Sequence, residues 1–249
     1  MKSRREGKVK SRREKREKKR ETKVNQEVDQ NGYRDRPKEI GPLQPKTQRQ
    51  AEMIMAIENN SVVFATGPAG TGKTYISGAM GAEYLKEKSH NLILARPMVG
   101  TEDMGHLPGD VNEKYAPWIE PIVQVLRERL GRGHVEAMMR TGRIQAIPLA
   151  LMRGRSLNDS FIILDEAQNA TPEQIKMVLT RLGENSKMVI DGDERQSDLR
   201  DRRGVRVESG LSDALHRLSG VRDIDCIEFS REDIVRHGLI KEILRRYEL

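Results

Sequence analysis

An apolar run, SVVFAT, leads straight into GPAGTGKT at residues 67–74. These eight residues fit G-x-x-x-x-G-K-[ST], and few architectures accommodate that pattern. A buried strand must end, the backbone must curl so that consecutive N–H groups face inward, and a helix must start at the loop's exit. The continuation YISGAMGAEYLKEK is compatible with such a helix. Gly67, Gly70 and Gly72 give the backbone the freedom to approach a triphosphate, with Pro68, Ala69 and Thr71 completing the cradle. Lys73 is then spaced to reach β- and γ-phosphates as a point charge. The Thr74 hydroxyl is spaced to ligate Mg²⁺ at the helix N-terminus, where the dipole also favours anions.

A second run, FIILDE at residues 161–166, ends four apolar residues with two carboxylates. An ordinary buried strand ending in an acidic cap reads the same way, and the phosphate loop upstream is what gives the run meaning. Asp165 is the candidate metal residue and Glu166, pointing the other way, the candidate general base for an attacking water. Further on, KMVIDGDERQSD places Asp193 and Gln196 just past another apolar run, where Gln196 can hydrogen-bond a γ-phosphate or its water. A polar turn carrying a helix cap is the plainer reading of that segment in isolation. Arg236, in SREDIVRHGL, could supply a cation to a transferring phosphoryl group, although a solvated or paired arginine is the commoner case.

Apolar runs SVVFAT, NLILAR, FIILDE, KMVIDG and DCIEF alternate with stretches long enough for crossover helices. That rhythm predicts a parallel sheet with helices on both faces. The expected fold is α/β, a RecA-like P-loop NTPase domain over residues 41–249. Residues 46–58 have a helical pattern. Between 99 and 160 the pattern loosens around PWIEPIVQVLRERL, which predicts an inserted subdomain or long loops over the active face.

Charge separates the chain into two parts. Residues 1–40 hold 16 Lys or Arg against 8 Asp or Glu; the whole chain holds 45 against 38, which leaves 29 against 30 beyond residue 40. The basic segment has few large apolar residues and is expected to be a disordered tail. Contact with nucleic-acid phosphates and simple solubilisation are both open for it. No apolar segment follows the basic residues in the manner of a secretory signal, and none approaches a membrane span. The single Cys226 leaves no disulfide within one chain. A cytoplasmic protein without a membrane partner is the expectation.

The ordered segments GPAGTGKTYISGAM, ARPMVG, GHLPGDVNEKYAPWIEPI, LMRGRSLNDSFIILDEAQNATPEQIKMVLTR, DGDERQSDL, SGLSDAL and EDIVRH closely resemble the PhoH family over residues 42–248. The resemblance implies a cytoplasmic ATPase related to the first RecA-like domain of superfamily-one helicases. It also implies links to RNA metabolism and phosphate starvation, in a family frequent in phage genomes. Gln50 resembles a Q-motif glutamine that reads adenine, and Gln196 and Arg236 match the family's third motif and C-terminal arginine. Arg96, with Pro97, and Arg153 and Arg155 match family segments serving either an RNA path or nucleotide-linked structure. Two departures stand out: His106 replaces a usual aromatic residue, and the link DLRDRRGVRVESGL is longer and richer in arginine. No PIN nuclease segment is present.

The implied activity is Mg²⁺-dependent ATP hydrolysis coupled to RNA or single-stranded nucleic acid, with Lys73, Glu166, Gln196 and Arg236 as catalytic candidates. One RecA-like domain is half of such a motor, so a homo-oligomer, even a ring with Arg236 acting in trans, is expected if the chain unwinds duplexes. The alternative is a nucleotide-gated RNA-binding module with little turnover. A small-molecule kinase is disfavoured by Glu166 directly after Asp165, and a GTPase by the lack of an N-K-x-D signature.

Overall fold

The computed structural model describes residues 41–97, 111–200 and 203–235, together with 238, 239, 242 and 246. The basic segment 1–40, His106 and Arg236 lie outside the described residues.

The five long apolar runs become strands β1 (Val62–Thr66), β2 (Asn91–Ala95), β4 (Ser160–Leu164), β5 (Lys187–Gly192) and β6 (Ile224–Glu228). A three-residue strand, β3 (Ile144–Ala146), joins them. Sheet order is β3-β2-β4-β5-β1-β6, and every pairing is parallel. The helices are α1 (Gln48–Asn59), α2 (Lys73–Tyr84), α3 (Val111–Leu130), α4 (Arg132–Arg140), α5 (Pro172–Leu179) and α6 (Gly210–Leu218).

Alternation along the strands builds two apolar layers, because successive side chains leave a strand on opposite faces. Val63, Ala65, Leu92, Leu94, Phe161 and Ile163 pack with α1 to α4, whereas Val62, Phe64, Ile93, Ile162 and Ile190 pack with α5 and α6. Covered on both faces, the strands read as continuous apolar runs rather than alternating ones. This is the expected sheet flanked by helices.

The stretch before β4 departs from expectation. Far from forming an inserted subdomain, its described part is woven into the main body: α3 packs along α2, and β3 extends the sheet edge beside β2. Tyr115, Ile119, Ile122, Val123 and Leu126, spaced four, three, one and three residues apart, bury one stripe of α3 in the core. Five such side chains contribute on the order of 10 kcal/mol of gross apolar stabilisation. A segment burying that much is part of the folding unit.

Parallel strands put the carboxyl ends of β1, β4 and β5 on one edge, with β5 between the other two. Open α/β sheets bind ligands at that edge. Among the described residues no helix is long and apolar enough to cross a membrane.

Candidate active site

At the end of β1 the chain turns through Gly67, Gly70 and Gly72, with φ of +123°, +84° and +93°, before α2 begins at Lys73. Gly67 has the tightest surroundings: a Cβ there would lie 2.2 Å from the Phe229 carbonyl oxygen. Thr71 is fully buried, and its hydroxyl donates to the Pro68 carbonyl at 3.0 Å. Val235 N–H donates to the Gly70 carbonyl at 3.0 Å, tying the chain after β6 to the loop.

Lys73 folds back into the loop, donating to the carbonyls of Gly67 (2.6 Å) and Pro68 (2.9 Å). Burial lowers its pKa, opposed by the negative charges of Asp191, Asp193, Asp165 and Glu166. One lysine thus faces four carboxylates. The site carries excess negative charge at the position where a cation is needed.

Thr74 and Asp165 meet as their motifs require, the hydroxyl donating to Asp165 Oδ1 at 3.3 Å. Burial, then the neighbouring Glu166 charge, raises the Asp165 pKa, so a cation beside it would favour its ionised form. No group of three or more His, Cys, Asp or Glu suited to a metal occurs among the described residues. A hard cation held by one carboxylate and one hydroxyl must take further oxygens from water and phosphate, which is how Mg²⁺ is usually bound. The residues present fit that ion.

Glu166 occupies the left-handed region (φ 54°, ψ 39°) at the head of the short 3₁₀ turn Ala167–Asn169. Such a conformation costs a non-glycine residue about 1 kcal/mol or more. Its carboxylate is held on two sides: Gln168 Nε2 donates to Oε2 at 2.6 Å, and an Arg96 guanidinium nitrogen lies 3.7 Å from Oε1. Arg96 is itself placed by a bond to the Trp118 carbonyl (3.3 Å), and lies 5.7 Å from that residue's ring centre.

β5 supplies the remaining groups. Asp193 accepts from Gln196 Nε2 at 2.8 Å, and Asp193 N–H donates to Gln168 Oε1 at 3.1 Å. Asp191, 1 % exposed, accepts from the Ser77 hydroxyl at 2.7 Å, while its Oδ1 has no hydrogen-bond partner. Burial pushes its pKa up to about 7.

A cavity of about 300 Å³ is lined by Ala69, Gly70, Gly72, Lys73, Thr74, Asp165, Glu166, Asp193 and Gln196, among others. Eight of these nine are among the site candidates read from the sequence; the ninth, Asp193, carries Gln196. A larger groove of about 910 Å³ lies on the outer side of Gly67 and Pro68, against α1 and the turn after β6. Lys73, Thr74 and Asp165 do not line it. The smaller cavity is where the glycine loop, Lys73, Thr74 and the two carboxylates converge.

Gln50 sits behind the loop. Its Oε1 accepts from Lys46 N–H at 2.7 Å and its Nε2 donates to the Thr71 carbonyl at 2.8 Å, so the amide braces the cradle. Arg153 and Arg155 lie in the crossover between the 3₁₀ turn Leu149–Met152 and β4, and do not line the cavity. Two participants were not foreseen, Gln168 and Asp191. Asp191 had a visible signal, a lone carboxylate inside the apolar run KMVIDG.

A parallel α/β sheet with an inward-curled glycine loop opposite a strand-end carboxylate pair defines the P-loop NTPase class. Within that class the chain belongs to the PhoH family, whose profile, described as PhoH-like protein, matches residues 42–248. A PhoH-like protein of Bacillus subtilis (strain 168) is 46% identical over 208 residues, covering 83% of this chain and 64% of its own. Protein PhoH of Escherichia coli (strain K12) is 42% identical over 214 residues, covering 84% and 59%. This chain therefore spans less than two thirds of the length of these relatives. Among solved structures, the large terminase of the thermophilic bacteriophage D6E aligns with a TM-score of 0.49 at 10% identity, over 82% of this chain and 50% of that one. The UvsW helicase of bacteriophage T4 aligns at 0.47 and 10% identity, over 77% and 62%.

Proposed function

We propose that the chain is an Mg²⁺-dependent ATP hydrolase of the PhoH type, coupled to RNA or another single-stranded nucleic acid. The observation that carries this reading is the convergence of Lys73, Thr74, Asp165, Glu166 and Gln196 on one cavity beside the loop amides. Loop N–H groups and Lys73 bind the phosphates, Lys73 exchanging its two carbonyl partners for phosphate oxygens. Thr74 and Asp165 would hold Mg²⁺, which when bound neutralises β- and γ-phosphate oxygens. Glu166 orients the attacking water and accepts its proton, with Gln168 fixing one carboxylate oxygen. Asp193 aims Gln196 at the γ-phosphate side of the cavity. Positioning and charge stabilisation supply most of the rate. In an oligomer, Arg236 of a second copy would complete the cation set, an addition worth about 10³ to 10⁵ in rate where such arginines act. An activity that draws on ATP and single-stranded RNA would operate in the cytoplasm.

Phosphate release from Mg·ATP, with and without single-stranded RNA, tests the reading. Lys73→Ala should abolish nucleotide binding; Glu166→Gln should retain it while lowering turnover by about 10² to 10⁴. Turnover that neither substitution changes would sink the assignment. One observation favours a second reading, a nucleotide-gated binding module: Glu166 is engaged by both Gln168 and Arg96. Nucleotide binding without phosphate release under any condition would establish it.

A further inference from the structure

The link from Gln196 to α6 is the longer, arginine-rich segment singled out in the sequence, and its described residues, 197–200 and 203–209, form the two arms of a hairpin. Arg200 and Arg206 face each other across an antiparallel bridge, and Val207 N–H donates to the Leu199 carbonyl at 3.3 Å. Arg200, Arg203 and Arg206 are exposed, as is Val205 at 58%. The acidic residues of the described arms, Asp198 and Glu208, sit toward the feet. Like charges directly opposite on paired strands oppose folding. Neither Arg200 nor Arg206 makes an ion pair among the described residues to offset it. Two guanidinium forks presented side by side suit successive backbone phosphates, which accept such forks bidentately.

Both feet of the hairpin end on one residue. The Ser197 and Ser209 hydroxyls each donate to the Gln168 carbonyl oxygen, at 3.1 and 2.9 Å. Asp198 N–H donates to Asn169 Oδ1 at 2.9 Å and Gly210 N–H to the Ala170 carbonyl at 2.8 Å, so the whole turn after Glu166 is clamped between the arms. The side chain of the same Gln168 holds Glu166 and the backbone of Asp193. Any force that reorients the arms acts on the residue that sets the general base.

From this placement we infer that the hairpin arms bearing Arg200, Arg203 and Arg206 bind the phosphodiester backbone of a single-stranded nucleic acid and pass its occupancy to Glu166 through Gln168. The inference rests on the hydrolase reading above and deepens it by naming the contact and the coupling residue. Nucleic acid is favoured over an acidic peptide because exposed Val205 lies between the arginines, offering apolar contact to sugar and base where a carboxylate chain has only charge to give.

The test uses the full chain and fluorescent 20-nucleotide oligo(U) and oligo(dT), followed by anisotropy and by phosphate release. Arg200→Gln with Arg206→Gln should weaken binding of both oligonucleotides about tenfold. The slope of log affinity against log salt should become shallower by about 1.4, at roughly 0.7 per lost phosphate contact. Basal turnover should stay within about twofold of the unsubstituted protein, as for other surface changes, while stimulation by oligonucleotide is lost. Arg222→Gln, an exposed arginine before β6 at the opposite end of the sheet, is the control and should bind normally. Gln168→Ala should keep oligonucleotide binding yet lose stimulation. Equal binding by the hairpin double variant and the parent, equal weakening by Arg222→Gln, or competition by polyglutamate as effective as by oligonucleotide would each overturn the inference. A parent protein that never releases phosphate refutes the hydrolase reading instead, and the anisotropy comparison still judges the hairpin.

Discussion

Asp191→Asn should flatten the pH dependence of folding stability. The residue is 1 % exposed, and its Oδ1 lacks any hydrogen-bond partner. Desolvation is the main cause that raises its pKa from 3.8 to about 7, with the Asp165 charge adding to it and Ser77 opposing. An acid raised in the folded state binds its proton more tightly there than in the unfolded chain. Stability therefore falls as pH rises from the unfolded value through the folded one and levels off above it. A shift of about 3 units corresponds to about 4 kcal/mol across the full window, of which about 2.7 kcal/mol falls between pH 5 and 8.

Urea unfolding of the nucleotide-free protein at pH 5, 6, 7 and 8 reads this directly, provided the denaturant slope is unchanged. Asparagine keeps the shape and can still accept from Ser77, but it cannot ionise. The variant should lose most of that difference and be more stable than the parent at pH 8. Asp165 and the other carboxylates are present in both proteins, so the difference between the two profiles reports position 191 together with its coupling to Asp165. Parallel profiles would refute the reasoning, because they require Asp191 to keep one ionisation state throughout.

Gly67→Ala places a Cβ 2.2 Å from the Phe229 carbonyl oxygen at a φ of +123°, which should cost about 3 kcal/mol in thermal or urea unfolding; an unaltered midpoint would contradict the packing. Gln50→Ala strands the Lys46 N–H and the Thr71 carbonyl, at about 1–3 kcal/mol. It also separates two roles in nucleotide titrations: a brace of the loop weakens ATP and GTP alike, whereas a reader of adenine loses only the preference for ATP. Arg96→Ala removes the cation 3.7 Å from Glu166, a partly exposed pair worth about 1 kcal/mol at most, so phosphate release should change less than about fivefold; a collapse comparable to Glu166→Gln would make Arg96 part of the reaction itself.

Five strands were legible because burial on both faces writes them as apolar runs, while β3 was not. Its three residues, Ile144–Ala146, include a glutamine and are too few for any period to show. The α3 stripe was visible in principle at Tyr115, Ile119, Ile122, Val123 and Leu126, but Pro117 and Pro121 interrupt the pattern. Both prolines fall on the exposed side, so the buried stripe continues past them. Lys73, Thr74, Asp165 and Glu166 were legible because each belongs to a contiguous motif whose chemistry dictates its neighbours. Gln50 stood out only through the family resemblance, as a reader of adenine; its bond to the Thr71 carbonyl depends on how α1 packs, which local sequence does not encode.

Strand order explains why Gln168 and Asp191 were hidden. With β5 lying between β1 and β4, the strand ends bearing the phosphate loop and Asp165 are two inter-strand spacings apart, roughly 10 Å. The gap between them is floored by a small residue. Gly192 fills this position: a Cβ there would stand 2.6 Å from Leu211 Cδ2 and 2.8 Å from Gln168 Oε1. Gln168 can therefore reach across β5 to Asp193 N–H while its Nε2 holds Glu166. The residue that holds Glu166 is thus admitted by a glycine on a different strand, a relation that exists only once the order of the strands is known.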